Sequence, residues 1–266
     1  MMFPIQGKRV LVTSSTEGIG RGVAETFASH GAVVTITSRS GEKLHRALHD
    51  LRKISPAVYG TQSDMTDLDS LNSLVSYALH VMGGIDILVV NSGNPPREPI
   101  TFSEADIQDW EYATKLYLLS AVSLSKLVIP DMISRRWGRI FFLSSWTVRE
   151  PQSILVLADV SRSPLLQLTK ILSRDYGKHG ITVNTILMGS FPTEGAKKTL
   201  SRYAESKGLP FEQVWKERVL DPISVGRLGD VKRDLGSLLL FLSTDMGSYI
   251  TGTSILVDGG TTSSVG

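Results

Sequence analysis

Seven short runs rich in β-branched and apolar residues recur along the chain: Arg9–Thr13, Val33–Thr37, Val58–Gln62, Ile85–Asn91, Arg139–Ser144, Ile181–Ile186 and Ser254–Val257. The stretches between them carry helical periodicity, as where Ile19, Val23 and Phe27 stand at i, i+4 spacing before Gly31, which closes the helix. Runs such as Ile85-Asp-Ile-Leu-Val-Val90 are almost continuously apolar, which suits strands covered on both faces. Strands that alternate with helices need crossovers, and right-handed crossovers lay parallel strands side by side with helices over both faces. The predicted fold is α/β, a doubly wound parallel sheet of about seven strands.

A chain of 266 residues with no proline-rich linker, repeat or low-complexity run is expected to be a single domain over 1–266. The longest helical pattern, about Ala105 to Arg135, should kink or end at Pro130, which lacks an N–H and crowds the preceding turn. Residues 190–226 read as a helical insertion between the last two strands, suited to serve as a lid. The net charge of +2 is spread without a basic stripe, which argues against a nucleic-acid partner. Zero cysteines exclude disulfides, thiolate metal sites and a cysteine nucleophile, and no metal site is expected. The first residues lack the apolar core of a signal peptide, and no apolar run approaches the ~18 residues of a membrane span, so a cytoplasmic protein without a membrane partner is expected.

After the first strand, Thr13-Ser-Ser15-Thr16-Glu-Gly18-Ile19-Gly20 leads into a helix. Glycines let backbone approach a pyrophosphate, and the helix N-terminus offers free N–H groups with a partial positive charge. Packing alone also produces such turns. The second strand ends in Thr37-Ser38-Arg39, with no acidic side chain to hold the ribose hydroxyls of NAD. Ser38 and Arg39 instead suit the 2′-phosphate of NADP, whereas Glu17 would repel it, so NAD stays open as the alternative. Arg39 is equally readable as a solvated charge.

Further partial motifs follow in order. They are Asp64-Met65, Asn91-Ser-Gly93, Ser144-Ser145, Asn184-Thr-Ile-Leu-Met188-Gly189-Ser-Phe-Pro-Thr193, and Val257-Asp-Gly-Gly260. From about Gly7 to Gly260 their order and spacing resemble the short-chain dehydrogenase/reductase family. The closest likeness is to a divergent branch of its 3-oxoacyl carrier-protein reductase-like members. The resemblance implies a Rossmann-type fold and an NAD(P)-dependent oxidoreductase moving hydride between nicotinamide and a carbonyl or alcohol. It places Asp64 and Met65 at the adenine, Asn91 and Gly93 beside the cofactor, and Gly189 and Thr193 near the nicotinamide and pyrophosphate. Asp64 could equally cap a helix. A homodimer or homotetramer, paired through the helices bearing Tyr117 and Arg162, is implied as well.

The catalytic positions depart from the family pattern. Ser145 keeps the serine role, but Ala158 stands at the tyrosine position, Arg162 at the lysine position and Tyr117 at the asparagine position. The lysine of the family lowers the tyrosine pKa so that the phenol can donate a proton. Arginine stays protonated, yet its planar donors can hold a ribose hydroxyl or an oxyanion. Either Ser145 and Arg162 stabilise the oxyanion while water supplies the proton, or Tyr117 returns a phenol to the space left at Ala158, or Tyr117 only fills that space. Asp159 is expected to point elsewhere. Tyr203-Ala-Glu-Ser-Lys207 has the family's letters in the wrong place and reads as an exposed i, i+4 pair. Pro95, Pro96, Trp146 and Phe191 suggest either an apolar substrate pocket or lid packing. A non-catalytic dinucleotide-binding sensor or subunit competes with the enzyme reading, and a scaffold that binds no nucleotide would follow if Ser14 and Glu17 spoil the turn.

Overall fold

The computed structural model describes residues 5–264. The strands are β1 (Arg9–Val12), β2 (Val33–Ser38), β3 (Val58–Gln62), β4 (Ile87–Val90), β5 (Gly138–Ser145), β6 (Ile181–Met188) and β7 (Ser254–Val257). All pair in parallel in one sheet ordered β3-β2-β1-β4-β5-β6-β7. The expected doubly wound sheet is thus the observed one. Winding reverses between β1 and β4, and in such sheets ligands bind beyond the C-terminal strand ends at that crevice.

The helices are α1 (Gly18–Ser29), α2 (Gly41–Arg52), α3 (Leu68–Met82), α4 (Ile107–Thr114), α5 (Ser120–Arg135), α6 (Val156–Arg162), α7 (Pro164–Tyr176), α8 (Glu194–Lys207), α9 (Phe211–Trp215) and α10 (Ser237–Leu242). Phe27, Leu51 and Leu239 pack α1, α2 and α10 on one face, with Phe141 of β5. Leu74, Leu124 and Leu165 pack α3, α5 and α7 on the other, with Phe142. Phe141 and Phe142, both fully buried, enter opposite layers because successive strand residues alternate faces. Emptying either site costs about 3–5 kcal/mol, since the transfer loss and the cavity add.

The helix does not end at Pro130, for α5 runs through it. Leu124, Val128, Ile129 and Met132 are buried around that turn, and this packing holds the helix across one missing hydrogen bond. The irregularity lies at a π-helical turn, Lys115–Leu119, which joins α4 to α5 and carries Tyr117. The helical run Ile107–Arg135 is long and apolar enough to cross a membrane, which corrects the expectation that no segment approaches that length. Half of its most apolar window is buried within the fold.

The insertion contains α8, α9 and a second π turn, Lys216–Leu220. It rests on the loop after β4: Asn94 Nδ2 donates to Thr199 Oγ1 at 3.4 Å and Arg202 Nη1 to the Pro96 carbonyl at 2.9 Å.

Candidate active site

The turn after β1 is built around Ser14, whose φ of 45° is one that glycine ordinarily takes. Asn91 Nδ2 holds the Ser14 carbonyl at 2.9 Å, and Asn91 N–H donates to Thr13 Oγ1 at 2.9 Å. Asn91 thereby fixes the turn. A Cβ on Gly20 would fall 2.5 Å from that same carbonyl, so glycine is the residue that lets α1 start here. Gly18 has φ +56°, and the Thr193 methyl stands 3.5 Å from where its Cβ would be, which brings Thr193 against the turn. Ile19 leans on the core beneath, and Thr16 stays half-buried in the loop.

Glu17, the N-cap of α1, makes no capping bond, and the first turn holds no acidic side chain. Uncapped N–H groups without a competing carboxylate fit a pyrophosphate. The Ser15 hydroxyl is spent differently from expectation: it donates to the Val12 carbonyl at 2.6 Å and accepts from Thr37 N at 3.0 Å, tying β1 to β2. Met65 is 3 % exposed and packs in the core. Asp64 accepts from Thr66 N and Oγ1, both at 2.8 Å, while Asp67 caps α3, so Asp64 organises a turn and is not the helix cap.

At the end of β2, Arg39 is exposed and donates to the Tyr112 hydroxyl at 3.1 Å, so it is held rather than free. Glu17 pairs with Lys43 at 2.7 Å. This exposed pair offsets part of the Glu17 charge that would oppose a 2′-phosphate.

Ser145 closes β5 opposite Met188, one residue before Gly189 on β6. Its Oγ accepts from Thr147 N at 3.2 Å and lies 2.8 Å from Thr147 Oγ1, which in turn contacts Asp159 Oδ1. Asp159 Oδ2 accepts from Gln152 N at 2.8 Å. Asp159 therefore does not point away; it is 2 % exposed and linked to Ser145 by one hydroxyl. The loop that leads back into α6 turns at Gln152, and this places the carboxyl under the 3₁₀ turn Trp146–Val148. Burial pushes the Asp159 carboxyl above its ordinary value against the pull of Gln152 N–H, Thr147 and Arg162.

Around Ala158 the arrangement is tight. Tyr117 OH donates to the Gly93 carbonyl at 3.0 Å and accepts from Arg162 Nη2 at 2.8 Å, while the guanidinium also stacks 4.3 Å from the ring centre. Burial holds the phenol well above its usual pKa despite Arg162. Its single proton faces the Gly93 carbonyl, and through that bond Tyr117 fastens the loop after β4. Glu98, unremarked in the sequence, accepts from Ala158 N at 2.7 Å and so caps α6, whose N-cap Leu155 has no side chain to do it. Burial, with Asp159 adding to it, lifts the Glu98 carboxyl to about 7 against the Ala158 N–H and Arg162. Arg162 Nε is buried with no partner among the described residues, and so is Ser144 Oγ.

Three sequence-derived placements shift. Phe191 is 4 % exposed and lies in the core against Gly229, so it is packing and not pocket. Tyr203 bonds Arg218 at 2.8 Å instead of pairing with Lys207. Pro95 is buried, which leaves Pro96 and Trp146 of the four pocket residues with accessible surface.

Residues 13–262 match the family described as enoyl-(acyl carrier protein) reductase. The chain is 31% identical over 98% of its length to a 3-oxoacyl-(acyl-carrier-protein) reductase of Aquifex aeolicus, covering 99% of that protein. It is likewise 31% identical, over 98% of its length and 89% of the relative, to dehydrogenase/reductase SDR family member 4 of Sus scrofa. Among solved structures, L-sorbose reductase of Gluconobacter frateurii, complexed with NADPH and L-sorbose, superposes with a TM-score of 0.91 at 27% identity over 100% of both chains.

Proposed function

The chain belongs to the short-chain dehydrogenase/reductase family, and we propose that it reduces a small carbonyl compound with NADPH, or oxidises the corresponding alcohol with NADP. The observation that carries this reading is the pairing of an uncapped α1 N-terminus with the Ser145 hydroxyl beyond the C-terminal strand ends of one sheet. NADPH, when bound, supplies the hydride.

The protein's own groups divide the remaining work. The N–H groups of Gly18, Ile19 and Gly20 hold the pyrophosphate, with Thr193 closing on it from the insertion. Arg39 and Ser38 take the 2′-phosphate, and Lys43 keeps Glu17 from opposing it. The unpartnered Nε of Arg162 is a donor for a ribose hydroxyl. Ser145 Oγ donates to the substrate oxygen, where charge develops as hydride arrives. The insertion acts as the lid, and Trp146 with Pro96 borders the substrate.

Two copies pair through the apolar groove between α5 and α7, where Val122, Ile129, Ile133, Leu168 and Leu172 line a surface beside exposed Ile171. The cysteine-free composition fits a cytoplasmic setting.

Fluorescence titration is expected to show saturable NADPH binding tighter than NADH; failure of both to bind sinks the proposal. Turnover over ketones, dicarbonyls and quinones is expected, with Ser145→Ala lowering kcat/KM about 10²–10³-fold. Binding of NADPH without turnover of any substrate would favour a redox sensor, the reading that Ala158 in place of tyrosine supports.

A further inference from the structure

The reductase reading leaves a chemical gap, because Ser145 can donate one proton but something must return it. Ala158 has no proton, Arg162 does not release one, and the Tyr117 proton is bonded to Gly93. We infer that Asp159, acting through Thr147, is the proton reserve of Ser145, so that a carboxyl–hydroxyl–hydroxyl chain replaces the missing phenol. The inference rests on the reductase reading above.

Counting protons along the chain gives two states. Threonine and serine hydroxyls carry one proton each. With Asp159 ionised, Thr147 gives its proton to Oδ1, and Ser145 must point its own at Thr147 Oγ1 to make the 2.8 Å contact. Ser145 then has none for a substrate. With Asp159 protonated, Oδ2 is already accepting from Gln152 N, so the acid proton sits on Oδ1 and faces Thr147. Thr147 then donates to Ser145 Oγ, which also accepts from Thr147 N at 3.2 Å. Both Ser145 lone pairs are filled, and its proton is left for the substrate.

The surroundings suit a carboxyl that changes state. Thr147 and Asp159 are 3 % and 2 % exposed, so the chain opens only at half-buried Ser145. Arg162, on the same helix, spends Nη2 on Tyr117. Glu98 faces from the loop after β4 and Tyr117 from the π turn; on α4, Asp109 is paired with Arg97 and Glu111 lies at the surface. From the turn after β5, Arg149 bonds Ser254 and Glu150 accepts from Ser263 N. No full positive charge is hydrogen-bonded to Asp159 among the described residues, which is why burial prevails.

In the reducing direction, hydride from the reduced nicotinamide bonds to the carbonyl carbon and the C–O π pair moves to oxygen. That oxygen takes the Ser145 proton, Ser145 takes that of Thr147, and Thr147 takes that of Asp159, which ends as carboxylate. The carbonyl is reduced, the nicotinamide is oxidised, and one proton leaves the carboxyl. Water recharges Asp159 through Ser145 once product departs. Alcohol oxidation runs the chain backwards and needs the carboxylate, so reduction is favoured below the Asp159 pKa and oxidation above it.

The test compares pH profiles of reductase kcat and KM for the wild type, Asp159→Asn, Thr147→Val and Glu98→Gln, with infrared titration of the cofactor-free protein. Asp159→Asn and Thr147→Val should each lower kcat about 10²–10³-fold, no more than Ser145→Ala does, with KM and NADPH affinity within threefold of wild type, and abolish the fall at high pH. The carboxylic-acid band lost in Asp159→Asn should persist in Thr147→Val and Glu98→Gln and fade with the midpoint of wild-type activity. A wild-type pH profile in Asp159→Asn or Thr147→Val overturns the relay, as does a profile flattened by Glu98→Gln instead. Absence of an Asp159 acid band across the working range overturns it too. Because that band is read without cofactor, its presence in a protein that turns over no carbonyl would count against the reductase reading and not against the carboxyl.

Discussion

The two edges of the sheet each bury carboxyl groups and treat them oppositely. At the N-terminal strand ends Asp86 is 5 % exposed; Oδ2 accepts from Arg9 N at 2.9 Å and Nε at 2.8 Å, while Oδ1 takes Arg9 Nη2 at 2.7 Å and an Arg135 Nη1 contact. Burial pushes this carboxyl up, but the Arg9 bonds and Arg135 outweigh it and hold it below the usual range. At the C-terminal ends Asp159 and Glu98 are each 2 % exposed, yet they receive backbone N–H groups and a hydroxyl, and both are raised. Similar burial thus yields a locked anion at one edge and exchangeable protons at the other. The deciding variable is where the guanidinium points, and Arg162 is turned to Tyr117.

Breaking the locked edge should have the largest effect. Asp86→Asn takes away the anion that Arg9 and Arg135 share, leaving Asp131 as the one carboxylate bonded to Arg135 among the described residues. About 3–4 kcal/mol of stability should be lost, the lower part of the range for a broken buried pair because both arginines reach solvent. Urea denaturation would show this while NADPH affinity stays at the wild-type value; an unchanged midpoint would remove the structural meaning of the pair. The pH sign follows from the lowered pKa: the stability from Asp86 is present above the unfolded carboxyl value and is lost as pH falls through the depressed one.

Glu98→Gln probes the opposite sign. A carboxyl raised from 4.5 to about 7 adds stability that is complete below 4.5 and lost as pH climbs through about 7, on the order of 3 kcal/mol across that window. Glutamine keeps an acceptor for Ala158 N but does not titrate, so the denaturation midpoint of the variant should be flatter in pH from 4.5 to 7. A slope equal to wild type would place the titrating group elsewhere. Tyr117→Phe should be the mildest, about 1 kcal/mol for one lost hydroxyl network, with the pH profile of reduction unchanged in shape. A loss of activity beyond about a hundredfold would restore the relocated phenol and erase the contrast between the edges.

Most of the framework was readable from the sequence. The seven apolar runs became the seven strands, and the Ser14–Gly20 turn sits where its spacing put it. Ser14 does not spoil that turn: it takes a φ of 45°, one that glycine ordinarily adopts, because turn geometry is a property of a few consecutive residues. Pro130 does not end its helix for the complementary reason, since a local rule about one missing N–H gave way to the buried packing of Val128, Ile129 and Met132. Glu98 carried no signal at all: it lies 60 residues from the N–H it caps. Asp159 was visible but misdirected, since helical spacing from Ala158 does not reveal a loop that folds Thr147 and Gln152 beneath it.

What the sequence determined by itself was the layered sheet, the glycine-bearing turn after β1 and the position of Ser145, all of which follow from periodicity and short-range backbone preference. The tertiary structure alone decided which proton Ser145 can draw on. Hydrogen-bond partners of a buried carboxyl come from distant segments, and in a low-dielectric interior those few partners set its charge.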